Sequence, residues 1–503
     1  PPGPSCHITM PAAKARSPSP YRGLEDEEGL WHAFSERSGL ETDILLPFSP
    51  EEYASRWAAV RSEMHNRGME ALVLSNPESI FWLTNYQTPG NPTTFLVVPL
   101  DARDSACVFT RELEASNMRY RSTVQYVSYN EAQAAEPLVA DFLAALPPRL
   151  HPSSGGGGDS GANYGYEAMS ARLTVRSQRT LEESPSLAGA TWQDASEVLV
   201  RLRNVKSERE VAYARNAAGY CAAGLQAAMA AIKPGVTEVE VAGEISKAMG
   251  AAGGEYASYP VFFSSGDAGC IGHHTATRRK IREGESVFME VGSCCHRYHA
   301  SKMHTMWVGS NPPAWYLEAE ALLKEATAAG RAACVEGATG SQVDGAMRSV
   351  LARLSRPFWM SGRSAYAIGL GCATDWAEKN VLIDAQSTSV LHASMTLHLV
   401  PWIQIDGLGG MGFSDTVVVQ PTGPALSLFA AEPPRHYARA VQVLPNSAAA
   451  ASASEAVTEA AEGPEAHRHW TRAAHSWAVS EDAAAEGEVP EDAAAVDAVV
   501  KKA

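Results

Sequence analysis

The run from Gly284 to Gly309 reads GESVFMEVGSCCHRYHASKMHTMWVG, and the fold is decided by how it is read. Ser286 to Val291 has the apolar character of a strand and Val308 lies near the end of a second. GSCCHR between them has the Gly and polar content of a hairpin connection. Side chains alternate along a strand, so Phe288, Glu290 and Gly292 share one face while Val287, Met289 and Val291 share the other. Glu290 is thereby placed inside an apolar strand. A buried carboxylate needs a partner or hydrogen bonds, so Glu290 is either a functional group or half of a structural pair.

The chain around this hairpin has 503 residues, 45% hydrophobic and 19% charged, which is enough for two domains with sizeable cores. A net charge of -16 argues against nucleic acid as a partner, because phosphate binding needs basic surface. No apolar run reaches the roughly 18 residues of a membrane span. Eight cysteines, two of them adjacent at Cys294 and Cys295, show neither a disulfide framework nor a zinc spacing. A reducing, cytoplasmic compartment is expected. Residues 1–44, rich in Pro, Ser and Gly with no acid before Glu25, read as a flexible leader, a composition that an organelle transit peptide shares.

Four regions are expected: the leader, a first domain over 45–190, a second over 191–430, and an Ala/Glu-rich, largely disordered tail over 431–503. In the first domain, Ser49 and Glu52 form a capping-box pattern before Tyr53, Trp57, Val60 and Met64 at helical spacing. Strands are expected at Ala71 to Leu74 and Phe95 to Pro99, with Asn76-Pro77 as a turn. HPSSGGGGDSGANYG, from His151, reads as a surface insertion. In the second domain Ser207 and Glu210 box a long helix that ends at Pro234-Gly235, and Thr237 and Glu240 box the next. Helices are also expected over 315–336 and 341–354, with strands around Val261, Ala367, Met395 to Val400 and Asp415 to Val419. In the tail a short helix is possible around Trp470 and Trp477.

Several polar positions then need explaining. His273, in CIGHHT, precedes Glu290 by seventeen residues. His398 shares a strand face with Thr396 and Val400 in MTLHLV, and is either a site residue or a hydrogen-bonded core histidine. RSAYAIGLGCATDWAEKN sets Arg363, Tyr366, Asp375, Trp376 and Glu378 around a Gly-rich strand end, where Arg363 either forks a substrate carboxylate or is solvated.

Taken in order, NPESIFWLTNYQTPG, VKSEREVAYARNAA, GHHT, GESVFMEVG, AYAIGLG, ASMTLHLVPW and GFSDTVVV resemble the creatinase and prolidase family of pita-bread enzymes, from about Leu46 to Phe429. The resemblance implies an α/β (α+β) fold: a creatinase-type N-terminal α/β domain, then a pita-bread catalytic domain with pseudo-twofold symmetry, commonly in a homodimer. In the metallopeptidase branch two Asp, one His and two Glu hold two metal ions. Carried onto this chain, those positions fall on Glu290, Ser301, Tyr366, Val400 and Ser414, so no metal is expected. The family's other catalytic His matches His273. The combination resembles creatinase-type members, and RYHASKMHT, SMTLHLVP and DWAE look most like the RYH, MTFH and DWGE of ectoine hydrolase and its relatives. His304 stands in place of their usual Arg, and Ala377 in place of their Gly.

The function so implied is metal-independent hydrolysis of a C–N bond in a small zwitterionic amino-acid derivative, with no cofactor. His273 would transfer protons. Glu290 would hold a cationic amidine, activate water or attack as a nucleophile, with Glu255 of GGEYASYP as the rival carboxylate. Tyr298, His299, Arg363, Tyr366, Asp375, Trp376, Glu378 and His398 would contact substrate, with Arg297 as a second candidate for its carboxylate. Tyr86 and Gln87 would close the partner subunit's pocket. Two alternatives remain. One is a Mn- or Zn-dependent Xaa-Pro peptidase with a site built from Cys294, His296, His299 and His304. The other is an inactive pseudopeptidase that binds a partner through its dimer surface and acidic tail.

Overall fold

The computed structural model describes residues 46–429, apart from 89, 91–92, 131 and 148–160. The leader, the tail and most of the glycine-rich insertion therefore lie outside the described residues.

The first domain is a six-stranded mixed sheet in the spatial order 125–129, 107–111, 95–99, 71–74, 163–166 and 191–194. Ala71–Leu74 is buried on both faces, as its unbroken apolar run requires. It pairs antiparallel with Phe95–Pro99 and parallel with Asn163–Tyr166. The insertion is shorter than expected, because its last residues, Asn163 to Gly165, enter the strand beside Ala71–Leu74. Thr191–Asp194 pairs with Asn163–Tyr166, so the sheet takes in one strand beyond residue 190. Asn76-Pro77 is not a free turn but the start of helix Pro77–Thr84, where the ring of Pro77 fits the first helical position. Ser49 caps helix Pro50–Asn66 through the Glu52 amide. The reciprocal half of that box is missing, since the Glu52 carboxylate goes to Arg56 and Ser207.

The second domain repeats one plan twice, a helix pair followed by antiparallel strands. Glu208–Ala231 and Glu238–Ala251 carry complete capping boxes, Ser207 with Glu210 and Thr237 with Glu240. They cover the sheet formed by Phe262–Ser265, Ser286–Cys295 and Tyr298–Trp307. Ala314–Ala333 and Gly340–Leu351 accompany the five-stranded sheet 377–384, 363–368, 396–399, 415–418 and 426–427. A further small sheet joins 358–360, 402–405 and 409–412.

The central hairpin is tighter than its sequence suggests. Strand pairing continues to Cys295↔Tyr298, so GSCC belongs to the strand and the turn is His296-Arg297 alone. Both residues have left-handed backbones, φ 47° and 66°, as a two-residue turn matched to strand twist demands. The alternation is as expected. Val287, Met289 and Val291 pack with the helix-covered core, which includes Ala217, Cys221 and Leu225, whereas Phe288 joins Tyr366, Trp376 and Trp402 on the opposite side.

The two domains are joined by buried charge. Glu210 Oε1 accepts from Arg56 at 3.0 Å, Trp82 Nε1 at 2.8 Å and Tyr298 OH at 2.5 Å. Arg203 donates to Glu378 Oε2 at 3.1 Å and to Ser79 Oγ at 3.0 Å, with Lys206 Nζ 3.8 Å from the other Glu378 oxygen. Removing one member would leave its partner buried and unpaired, which makes this junction sensitive to single substitutions.

Candidate active site

On its polar face the hairpin looks into a cavity of about 240 Å³. Glu290 lies at its base, 3% exposed, on the strand beside Phe262. Tyr366 and Trp376 form one wall, Tyr259 and His273 another, and Arg363 and Asp375 border it with opposite charges. Trp376 fits against the strand because position 292 is glycine: a Cβ there would meet the indole at 2.3 Å. His273 is exposed and stacks on Phe262, with ring centroids 4.8 Å apart. The Arg363 guanidinium lies over the Tyr366 ring at 4.8 Å.

This environment tunes the titratable groups. Burial pushes the Glu290 carboxyl up to about 7, opposed by the Ser301 hydrogen bond and the Arg363 charge. Although one edge of His273 is exposed, partial desolvation of its ring against Phe262 and Tyr259, and then the Arg363 cation, lower it from its ordinary value. Tyr259 is pushed up to about 12 by burial and by Asp375, to which it is hydrogen-bonded.

Behind the cavity runs a buried hydrogen-bond chain. Trp376 Nε1 donates to Tyr366 OH at 2.9 Å, Tyr366 OH meets His398 Nδ1 at 2.9 Å, and His398 Nε2 meets Ser414 Oγ at 2.8 Å. Because Tyr366 OH accepts from the indole, its own proton is available to Nδ1, which leaves Nε2–H to point at Ser414. His398 is fully buried and held down to about 3 by burial, so it sits neutral in this chain. It is the hydrogen-bonded core histidine of the two readings its sequence allowed, one layer behind the cavity and 3.9 Å from Glu290 Oε1.

Of the expected residues, Glu290, His273, Arg363, Tyr366, Asp375 and Trp376 are brought together around this cavity. Others are placed elsewhere. Glu255 accepts from the His296 amide at 2.7 Å and caps the hairpin turn. Tyr298 is committed to Glu210, and Glu378 to Arg203 and Lys206, because each lies at the domain junction. His299 is buried, with Nε2 3.1 Å from the Ser258 amide and Nδ1 3.0 Å from the Arg297 carbonyl. Burial, then the Arg297 charge, hold it down to about 3. Arg297 is itself fully buried and locked onto the carbonyls of Gly371 and Tyr256, so it is not free to meet a carboxylate. Tyr86 and Gln87 border an outer cavity of about 620 Å³ between the two domains of their own chain. The two cavities share Tyr259 and Asp375.

Sequence reading missed Ser301 and Ser414 as members of the site's surroundings. Ser301 Oγ donates to Glu290 Oε1 at 3.3 Å, and Ser414 anchors His398. Their signal was the alignment of both with lost metal-ligand positions. Those positions do converge: Glu290, Ser301, Tyr366 and Ser414 are linked by hydrogen bonds or through His398, and Val400 packs with Tyr366 and Trp376. As a donor set they offer one carboxylate, two alcohols and a phenol, which does not fit a pair of divalent ions that need several anionic oxygens. Among the described residues no three His, Cys, Asp or Glu side chains are grouped to hold a metal. Cys294, His296, His299 and His304 therefore do not form the alternative site.

Comparison with known proteins agrees with this architecture. Residues 56–205 match the Creatinase/Prolidase N-terminal domain and residues 212–421 match Metallopeptidase family M24. The ectoine hydrolase of Halomonas elongata is 26% identical over 402 residues, covering 76% of this chain and 96% of that protein. A probable dipeptidase PepE of Mycobacterium tuberculosis is 27% identical over 380 residues, covering 75% and 94%. Among solved structures, the prolidase of Pyrococcus horikoshii superposes with a TM-score of 0.64 at 18% identity, covering 76% of this chain and all of that one. Dipeptidase PepE of Mycobacterium ulcerans gives 0.62 at 25% identity, covering 76% and 97%. With both of its domains matched, the chain belongs to the creatinase/prolidase family, metallopeptidase family M24, and is a hydrolase of C–N bonds.

Proposed function

We propose that the inner cavity hydrolyses a C–N bond in a small zwitterionic amino-acid derivative without a metal ion. The observation that carries this reading is Glu290, a buried carboxyl at the family's first metal position that is paired with an alcohol instead of a second acid. Arg363 at the cavity border meets the substrate carboxylate, while Asp375 and the faces of Tyr259 and Trp376 receive a cationic or amidine nitrogen. His273, uncharged at neutral pH because its pKa is lowered, takes a proton from the attacking water. Glu290, still partly protonated near pH 7, delivers a proton to the departing nitrogen. Water adds to the carbon, the C–N bond breaks, and the two protons move from oxygen to His273 and from Glu290 to nitrogen. The similarity to an ectoine hydrolase supports a substrate of this size.

A second reading, a metal-dependent dipeptidase, is favoured by the similarity to dipeptidase PepE and to prolidases. Metal analysis of the purified chain, with turnover of ectoine, creatine and Xaa-Pro dipeptides measured with and without a chelator, separates the two. Turnover that survives chelation supports the first. Stoichiometric metal with chelator-sensitive activity supports the second.

A further inference from the structure

The outer cavity carries two unexplained polar atoms. Ser75 is 3% exposed and its hydroxyl has no hydrogen-bond partner, and the side-chain oxygen of Gln87 is likewise buried and unpartnered. Both residues line the 620 Å³ chamber. Buried polar atoms are nearly always paired, and each one left unpaired destabilises the fold, so two orphans bordering one chamber need a reason. One is a donor and the other an acceptor. An amide unit presents the complementary pair, a C=O for the Ser75 hydroxyl and an N–H for the Gln87 oxygen. As they stand both atoms are covered, so a χ1 change at Ser75 and a turn of the Gln87 amide must accompany binding.

The chamber also adjoins the inner cavity, because the two share Tyr259 and Asp375 as lining residues. It meets the inner cavity at the Tyr259–Asp375 pair, and its wall adds Tyr86, Tyr256 and Arg172. At about 620 Å³ against about 240 Å³, the outer space is more than twice the inner one. A single-ring zwitterion held at Glu290 would leave it empty. We infer that the substrate is a two-part molecule: a zwitterionic head in the inner cavity and an amide-bearing tail that passes Tyr259 and Asp375 to pair with Ser75 and Gln87. This deepens the proposed function and rests on the inner cavity being where the head is held.

Calorimetric titration of the full chain with three probes of equal charge tests it: L-norvaline, Nδ-acetyl-L-ornithine and Nδ-(N-acetylglycyl)-L-ornithine, with no, one and two tail amides. The two-amide probe is expected to bind about tenfold or more tightly than norvaline, with Ser75→Ala and Gln87→Met each removing most of that gain. The ligand-free Tm of both variants should stay level or rise, because no protein partner is lost. Equal affinity for the three probes, no binding of the two-amide probe, or a fall in ligand-free Tm in either variant would overturn the inference. Unchanged turnover in His273→Ala would instead count against the catalytic reading of the inner cavity, leaving the probe series to decide the outer one.

Discussion

Ser301 Oγ donates to Glu290 Oε1 at 3.3 Å, across two strands of one hairpin at positions where the metal-binding branch of the family sets two acids against each other. Replacing the second acid by an alcohol leaves a single ionisable carboxyl in the pair. In the proposed metal-free reaction the proton on this carboxyl takes the place of a cation.

From this follows a pH profile. His273 must be neutral to accept a proton, and its folded pKa lies below the ordinary 6.5; Glu290 must hold one to donate it, and loses it near pH 7. The rate constant kcat/KM should describe a narrow bell with its acid limb below 6.5 and its alkaline limb near 7. A plateau extending to pH 9 would contradict the assignment of Glu290 as the acid.

Glu290 also sets a stability slope. Its folded pKa, about 7, lies above the ordinary 4.5, so between these values the folded state holds a proton that the unfolded state has released. Stability contributed by this group is therefore full at low pH and lost as pH rises through the window, by up to about 3 kcal/mol. Glu290→Gln should flatten that slope and raise Tm at pH 8 while abolishing turnover. Chemical denaturation at pH 5 and pH 8 provides the check.

Replacing His273 by Ala should reduce kcat by roughly 10²- to 10⁴-fold, the usual worth of a positioned proton carrier. His273 is exposed and its ring contacts are limited to stacking on Phe262 and, farther off, Tyr259, so the variant should unfold within a few degrees of the wild type on a thermal scan. Activity within tenfold of wild type would remove it from the mechanism.

Gly292→Ala places a methyl 2.3 Å from the Trp376 ring, which no small adjustment accommodates. A loss of about 1–3 kcal/mol in stability is expected from overpacking, together with weakened ligand binding as the cavity wall moves. Titration of tryptophan fluorescence and ligand affinity would report both effects, and normal affinity would show that the wall tolerates displacement.

Glu378→Ala should behave differently from a substrate contact. It strands Arg203 and Lys206 in the junction, so a loss of about 3–5 kcal/mol is expected. The folded fraction should retain its KM. A raised KM without a drop in Tm would return Glu378 to the substrate site.

The order of elements, two of the three complete capping boxes among the described residues, the two faces of the hairpin strand and the burial of Glu290 were legible in the amino-acid sequence, whereas the Thr339–Gln342 box was not expected. Each depends on contacts three or four residues apart or on a period of two, which neighbouring residues settle among themselves. The same locality explains which expected residues lie away from the inner cavity. Tyr298, His299 and Glu378 sit in motifs beside residues that line the inner cavity, but a strand sends adjacent side chains to opposite faces and long-range partners hold them away from it: Glu210 for Tyr298, Ser258 for His299, Arg203 for Glu378. Only tertiary structure could show that Ser75 and Gln87 of one domain border a chamber sharing Tyr259 and Asp375 with the cavity that holds Glu290 of the other, because these residues are separated by some two hundred positions and brought together by packing, not by pattern.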